Sequence, residues 1–410
     1  MLSGLVLFFC GAARAEIGYS LESYQYVQKS QVAETAINPD NRIFKEPYLG
    51  FNLDVRGEFK WQNDNSRAIL RPRFEGSIQE TDYGAKETYH RNGSLLDLTD
   101  AFLHNNWGDA VSTTVGLQVY QWGPAEIMNP SNSLFHFNSQ QRSVLYKEKG
   151  QALLRANFNL NVENNLVFIF EPISNNRAEW LAEDTFVPKL VLKYEKSWSG
   201  TADQIGLVVG SAEKRDLYIG EYWNWTFIEG YSFYGDIKQS EKVLNYKPEQ
   251  NGLFTDFVDS ERNIKWHSLA VLGLRYEGDF DIRLEYIYNQ AGFDDLEYRA
   301  ALSSLKQPFN PNYIQNLTRF KGIGLELLLK EYLYFSYRIT EPLHWNQTNF
   351  YVRQLSSVRG RSSQTQAELD KSTGDSTGVF AGLAVADGEP DSELRLLNDW
   401  SFFAGFKWNL

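Results

Sequence analysis

Apolar and polar residues alternate along this chain in segments of about ten, repeated from residue 17 to the carboxyl terminus. In Leu70-Arg71-Pro72-Arg73-Phe74-Glu75 the charged residues share one face, and Leu70, Pro72 and Phe74 share the other. Ala152, Leu154, Ala156, Phe158 and Leu160 oppose Leu153, Arg155, Asn157 and Asn159. Leu190, Leu192 and Tyr194 oppose Lys189, Lys193 and Glu195, and Phe280, Ile282, Leu284, Tyr286 and Tyr288 oppose Asp281, Arg283, Glu285 and Asn289. A period of two puts successive side chains on opposite faces of a strand. Each segment therefore predicts a strand with one apolar face and one wet face. Ile17, Tyr19 and Leu21 already open such a strand. No stretch changes to a helical period and no linker rich in Pro, Gly or Ser interrupts the series, so residues 16–410 read as one all-β domain.

The spacing between segments predicts the topology. Short polar turns occur near 63–65, 108–109, 163–165, 199–200, 278–279 and 331. They alternate with long irregular stretches at about 28–46, 79–93, 123–148, 173–186, 239–262, 291–316, 341–348 and 387–397. With strands of ~9–11 residues this rhythm gives about 18 antiparallel strands, with 16 as the alternative count. The polar run from Ser362 to Ser376 reads as a long turn. An even count puts both ends of the chain on the same side.

The last strand refines the class. Trp400, Phe402, Ala404, Phe406, Trp408 and Leu410 fall on one face, and an entirely apolar face needs something other than water beside it. The segment resembles the closing strand of an outer-membrane β-barrel. Gly405, Phe406, Trp408 and Leu410 correspond to its assembly signal, with Phe403 in place of the usual polar residue and Leu in place of a terminal aromatic. That resemblance implies a transmembrane up-and-down barrel inserted by a barrel-assembly machinery into outer-membrane lipid. A core strand of a soluble β-sandwich is the other reading of these residues. At the opposite end, Leu2 to Ala13 is apolar and Ala13-Arg14-Ala15 offers a small-x-small site, so residues 1–15 read as a cleaved export signal. Cleavage there removes Cys10, the one cysteine, which excludes disulfides and cysteine-based metal or nucleophile chemistry.

Composition agrees. Mean hydropathy is −0.43 and no segment after the signal is continuously apolar, which excludes a helical membrane protein but not a barrel, whose two faces average out. Aromatic residues reach 15%, many at strand ends, where they resemble the girdles of the two membrane boundaries. A net charge of −12 argues against nucleic acid as a partner.

By parity the wet face carries Arg71, Arg73, Arg155, Lys189, Lys193, Arg275, Arg283 and Arg338, together with His267, Glu75, Asp97, Glu285 and Glu326. Paired, these charges brace a hydrated wall; unpaired, they set a transverse field that orients a solute. Arg71 and Arg73, one pleat apart, are the sharpest candidates for carboxylate or phosphate recognition. The hairpin from Leu98 to Gly123, with Asp100-Ala101-Phe102, Gly116, Gln118, Trp122 and Gly123, resembles that of porin-like barrels that include alginate-export-type channels, although Leu117 stands where they carry arginine. In such porins the following loop folds inward and narrows the pore. This implies a constriction at about 124–147 with Asn129, Asn132, His136, Gln140, Gln141 and Arg142 as lining groups; a surface loop is the alternative.

The reading that results is a porin-like channel for small hydrophilic solutes, monomeric by default, with no cofactor and no metal. Two alternatives compete. A barrel hydrolase would need a nucleophile, a histidine base and an orienting group, and none of His90, His104, His136, His267 and His344 sits in such a motif. A non-conducting barrel with an adhesive or structural role needs no motif, and only conductance separates it from a channel.

Overall fold

The computed structural model describes residues 15–410 apart from 43, 84–86, 136–142, 147, 174–187, 213–216, 242–245, 252–253, 260–265, 307–310, 314 and 317–326. The first eleven strands are β1 (Glu16–Val32), β2 (Leu49–Gln62), β3 (Ser66–Tyr83), β4 (Glu87–Asn106), β5 (Val111–Gln118), β6 (Gln151–Asn159), β7 (Asn164–Ile173), β8 (Lys189–Ser197), β9 (Gln204–Ala212), β10 (Tyr218–Ile228) and β11 (Tyr231–Ser240). A separate hairpin follows, β12 (Tyr246–Asn251) with β13 (Phe254–Asp259). The main series resumes with β14 (His267–Glu277), β15 (Phe280–Asn289), β16 (Glu331–Thr340), β17 (Thr348–Ser357), β18 (Ser363–Ser372), β19 (Thr377–Asp387) and β20 (Asn398–Asn409).

Apart from the hairpin, these strands form one 18-stranded antiparallel sheet. It closes on itself through β1 and β20, from Glu22 opposite Asn409 to Gln31 opposite Trp400. The ends are tied by Leu21 N to Leu410 O at 3.1 Å and Leu410 N to Leu21 O at 2.8 Å. The expected count of about 18 strands is therefore the observed one, and closure leaves the wall without an open edge.

Parity holds around the ring. Phe59, Leu70, Phe74, Leu154, Leu192, Leu207, Leu284, Phe335, Phe402 and Phe406 point away from the lumen and are more than a third exposed, whereas Val167, Ile169, Val191, Val208, Val271 and Ile287 point inward and are buried. Register shifts interrupt this parity at four places among the described strands, and the one in β4 bears on the site. Between β3 and β4 the register runs from Arg71 opposite Asp100 to Pro72 opposite Leu98, leaving Thr99 as a bulge. Pro72 has no N–H to give the ladder. The bulge lets Asp97 and Asp100 share the inward face although they are three residues apart.

Three expectations need correction. The stretch 79–93 is no loop: β3 and β4 continue through it as a hairpin of 18- and 20-residue strands. The residues just before Glu331 form no strand, because β15 and β16 are joined by the long connection 290–330; position 331 and the stretch 341–348 therefore exchange rims, the latter becoming a turn with Pro342-Leu343-His344 in a 3-10 helix. The missing strand is recovered within 362–376, where Ser363–Ser372 is β18. Its outward face carries Thr365 and Ala367, too weakly apolar to announce a strand.

The rim opposite the termini is filled. Helix α1 (Asp295–Leu305) begins with a capping box between Asp294 and Glu297. It buries Tyr298, Ala301, Leu302 and Leu305 against Phe293, Leu327, Leu328, Leu329, Ile37 and Leu396. Glu393, from the 388–397 connection, fastens this lid: its carboxylate accepts from Leu328 N and, at 2.6 Å, from Tyr332 Oη. Nearby Lys306 pairs with Asp391 at 2.7 Å and Arg395 with Asp399 at 2.6 Å, so no cation compensates Glu393 among the described residues.

Burial pushes the Glu393 carboxyl from its ordinary 4.5 up to about 7. Between those values the latched state keeps a proton that the open state has released, so latching is strongest in acid and weakens as pH rises through about 7. A nitroxide at position 296, where Leu296 is 81% exposed on α1, is expected to gain mobility across that window. In Glu393→Gln the pH dependence should vanish; an unchanged rise would place the titration elsewhere.

Candidate pore and its inward loop

After β5 the chain leaves the wall and turns into the lumen. Gly123, at φ +93°, makes the turn; a Cβ there would lie 2.3 Å from Asn129 Oδ1 and 2.4 Å from Asp236 Oδ2, so no larger residue fits. Residues 125–135 are buried throughout.

Three carboxylates hold this loop. Glu285 on β15 accepts from Glu126 N at 2.6 Å, Ile127 N at 3.2 Å and Tyr234 Oη at 2.8 Å. Asp236 on β11 accepts from Ser131 N at 2.6 Å and Ser131 Oγ at 2.9 Å. Glu126 itself, at the loop's apex, accepts from Tyr334 Oη at 3.0 Å and Ser336 Oγ at 2.9 Å, takes a further bond from Tyr351 Oη, and pairs with Arg283 at 3.1 Å. Apolar packing completes the anchorage. Trp122, Leu134 and Phe135 lie on Leu153, Val167, Ile169, Val191, Val208 and Tyr222, while Ala125, Ile127 and Met128 join the core under the lid. The loop thus touches wall strands from β6 round to β17. Its return passes the remaining side, where Arg56 Nη2 donates to Leu145 O at 2.6 Å and Val144 N to Glu368 at 3.3 Å.

The predicted wall charges are almost all paired. Arg71 reaches Glu58 at 2.6 Å and Asp100 at 2.9 Å; Arg73 reaches Asp54 at 2.8 Å and Glu75 at 2.6 Å. Asp97 meets Lys149 at 2.5 Å, Lys189 meets Glu171 at 3.4 Å and Lys193 meets Glu195 at 2.9 Å. Arg275 and Arg283 both bind Asp281, at 3.0 and 3.3 Å. Arg155 differs: it contacts Thr114 Oγ1 at 3.1 Å and lies 4.2 Å over the Tyr120 ring, with no carboxylate among the described residues. Arg338 is exposed near the end of β16, and His267 begins β14 with Nδ1 buried and without a hydrogen bond among the described residues.

The loop residues behave differently from expectation. Asn129 and Asn132 are buried at 1% and 0% exposure and bond the loop's own backbone, Asn129 to Ala125 and Asn132 to the N–H groups of Leu134 and Phe135. They shape the loop instead of lining a passage. His136, Gln140, Gln141, Arg142 and Glu326 lie outside the described residues. Sequence reading missed Asp54, Glu58, Asp100, Glu126 and Asp236. For Asp54 and Glu58 a signal existed, since both alternate in phase with Arg56 on β2.

The chain has no match to a family model and none to a curated protein by sequence. Its fold matches solved structures. OccK5 (OpdH) of Pseudomonas aeruginosa superimposes with a TM-score of 0.54 at 8% identity, over 96% of this chain and 98% of that one. OccAB1 of Acinetobacter baumannii gives 0.54 at 8% identity, over 97% and 98%. OpdK of Pseudomonas aeruginosa, crystallised with vanillate, gives 0.52 at 10% identity, over 96% and 98%. At such identities the likeness is one of fold. These neighbours are Occ-type outer-membrane porins, and they lend no support to the alginate-export likeness of the 98–123 hairpin.

Glu285→Ala is expected to leave two loop N–H groups and the Tyr234 hydroxyl unpaired, at about 1–3 kcal/mol each. The loop should loosen first: single-channel current through Glu285→Ala becomes noisier and larger than wild type. A quiet, unchanged current would mean that apolar packing alone holds the loop.

Proposed function

We propose that this protein is an integral outer-membrane channel for passive, charge-sorted passage of small hydrophilic solutes. The observation that carries the reading is the inward loop. It is bonded across the lumen by Glu285, Asp236 and Arg283, so that the described loop and lid fill the side bounded by β6 to β17. An apolar outer wall faces lipid, and the closing strand serves insertion by the assembly machinery. No covalent step is needed: a hydrated lumen lowers the solvation barrier, and the narrow level sorts by size and charge.

Small organic anions are the favoured cargo. Arg56 and Arg73 stand directly opposite each other on β2 and β3, and both lean on one buried carboxylate, Asp54, at 2.7 and 2.8 Å. Glu75, the other partner of Arg73, is 42% exposed and weakly compensating. Arg56 is also held by the loop, donating to Leu145 O at 2.6 Å, so the Arg73 guanidinium is the one beside Asp54 that can exchange hydrogen bonds with a passing carboxylate. The neighbour solved with vanillate holds such an anion.

Purified protein in a planar bilayer under asymmetric salt should show stable conductance with a reversal potential on the anion side. Asp54→Asn removes the shared counter-charge and should raise the anion-to-cation permeability ratio by roughly two-fold or more. A closed barrel that never conducts would replace the channel with an adhesive or structural role, and reproducible substrate hydrolysis would replace it with an enzyme.

A further inference from the structure

On β10 one outward position breaks the apolar pattern of its strand. The outward residues of β10 read Ile219, Glu221, Trp223, Trp225 and Phe227, and Glu221 alone is charged. Its direction is fixed by its neighbours: Tyr218 and Tyr222 are buried inward, and a Cβ on Gly220 would meet Ser131 of the inward loop at 2.7 Å. Across the sheet Glu221 lies between Leu207 of β9 and Ile237 of β11. Leu207, Val209 and Ile219 are 49%, 43% and 45% exposed, so the carboxylate is set in an apolar field. Apolar residues stand both above and below it on its own strand. Among the described residues no hydrogen bond or ion pair reaches it. A lipid-facing charge away from the boundaries destabilises a barrel, and an ionisable group at membrane depth calls for a partner.

A complementary group stands one pleat away. Trp223 lies flat across Gly235 of β11, where a Cβ would come within 2.4 Å of the indole, and its ring is 6.4 Å from Phe233. Its indole N–H meets no acceptor among the described residues. Side chains two apart on a strand share a face, yet with the indole turned onto Gly235 no bond joins Glu221 to Trp223 within one copy. Hydrocarbon supplies neither a donor for Glu221 nor an acceptor for Trp223.

We propose that the outer face of β9–β11 is a two-fold interface between copies of this chain, in which Glu221 of each accepts from the Trp223 indole N–H of the other. A two-fold axis along the membrane normal keeps equivalent residues at equal depth. It turns an unmatched acceptor and an unmatched donor into two reciprocal bonds, the self-complementarity that an isologous contact requires. Trp223 folded onto Gly235 leaves a flat surface for close approach. The proposal rests on the membrane reading above and replaces the monomer expected from sequence.

The test is native mass spectrometry of the protein released from lipid nanodiscs, beside the heat-dependent gel mobility that reports a closed barrel. Wild type is expected at twice the single-chain mass. Glu221→Leu and Trp223→Phe should each weaken the dimer by about tenfold or more in dissociation constant, while Glu221→Gln, which keeps an accepting oxygen, retains most of it. Wild type found only as single chains with barrel mobility intact overturns the interface and leaves the channel standing. Dimers unaffected by both weakening substitutions also overturn it. A chain recovered without detergent and lacking barrel mobility overturns the interface together with the membrane reading.

Discussion

In hydrocarbon an unpaired backbone N–H or C=O costs several kcal/mol, so a lipid-facing sheet must have no edge. The structure depends on the seam where β1 meets β20. Gly405 sits in that seam with Gln25 O, Tyr26 Cβ and the Phe380 ring 2.2, 2.6 and 2.9 Å from where a Cβ would be. Its absence of a side chain lets Phe380 fill the lumen side beside Tyr24, Tyr26 and Phe403, with ring centroids 5.9 to 6.2 Å away. Phe403, unusual for a closing strand, thereby packs inward while Phe402 and Phe406 face out. Once the ring is closed, every wall residue has one of two fates, lumen or outer surface.

A ring of 18 strands is too wide for its own inward side chains to fill, and the connections do the filling. The 119–150 connection crosses the lumen and the 290–330 connection covers it from one rim, and the two share an apolar core. Polar anchors set their position. Asp236 and Glu285 accept from loop N–H groups, which fixes the loop backbone against particular strands in a way that side-chain packing alone would not. The charge of Glu126 is matched instead by Arg283 and three hydroxyl groups.

Much of this was legible in the sequence because parity is a strict rule. Leu154 and Phe158 out with Arg155 in, or Leu284 and Tyr286 out with Arg283 and Glu285 in, follow from alternation alone. Boundaries were less legible. β3 and β4 run through a polar stretch because a hairpin beyond the apolar belt needs no apolar face, and β18 was hidden by Thr365 and Ala367. Loop geometry was not legible at all. Asn129 and Asn132 have the composition of pore-lining residues, yet local backbone bonds claim them, and nothing in a linear pattern reveals that Glu126 will meet Tyr334 some 208 positions away.

Parity also cannot say whether an inward charge is spoken for. Arg71 and Arg73 look alike in sequence to Arg155, but two carboxylates contact each of the first pair while Arg155 has only a hydroxyl and an aromatic face. The distinction matters for passage. A fully unpaired guanidinium would hold an anion too firmly to release it, and a fully neutralised one would not attract it. Transport needs attraction weak enough to be reversed at the next site. In the proposed channel Arg73 occupies that middle state, since buried Asp54 is shared with Arg56 and half-exposed Glu75 compensates it only weakly. The same reasoning separates the lumen from the outer wall. Inside, water tolerates a partly matched charge; outside, at Glu221, the proposed hydrocarbon surround does not, and the proposed two-fold contact is what would match it.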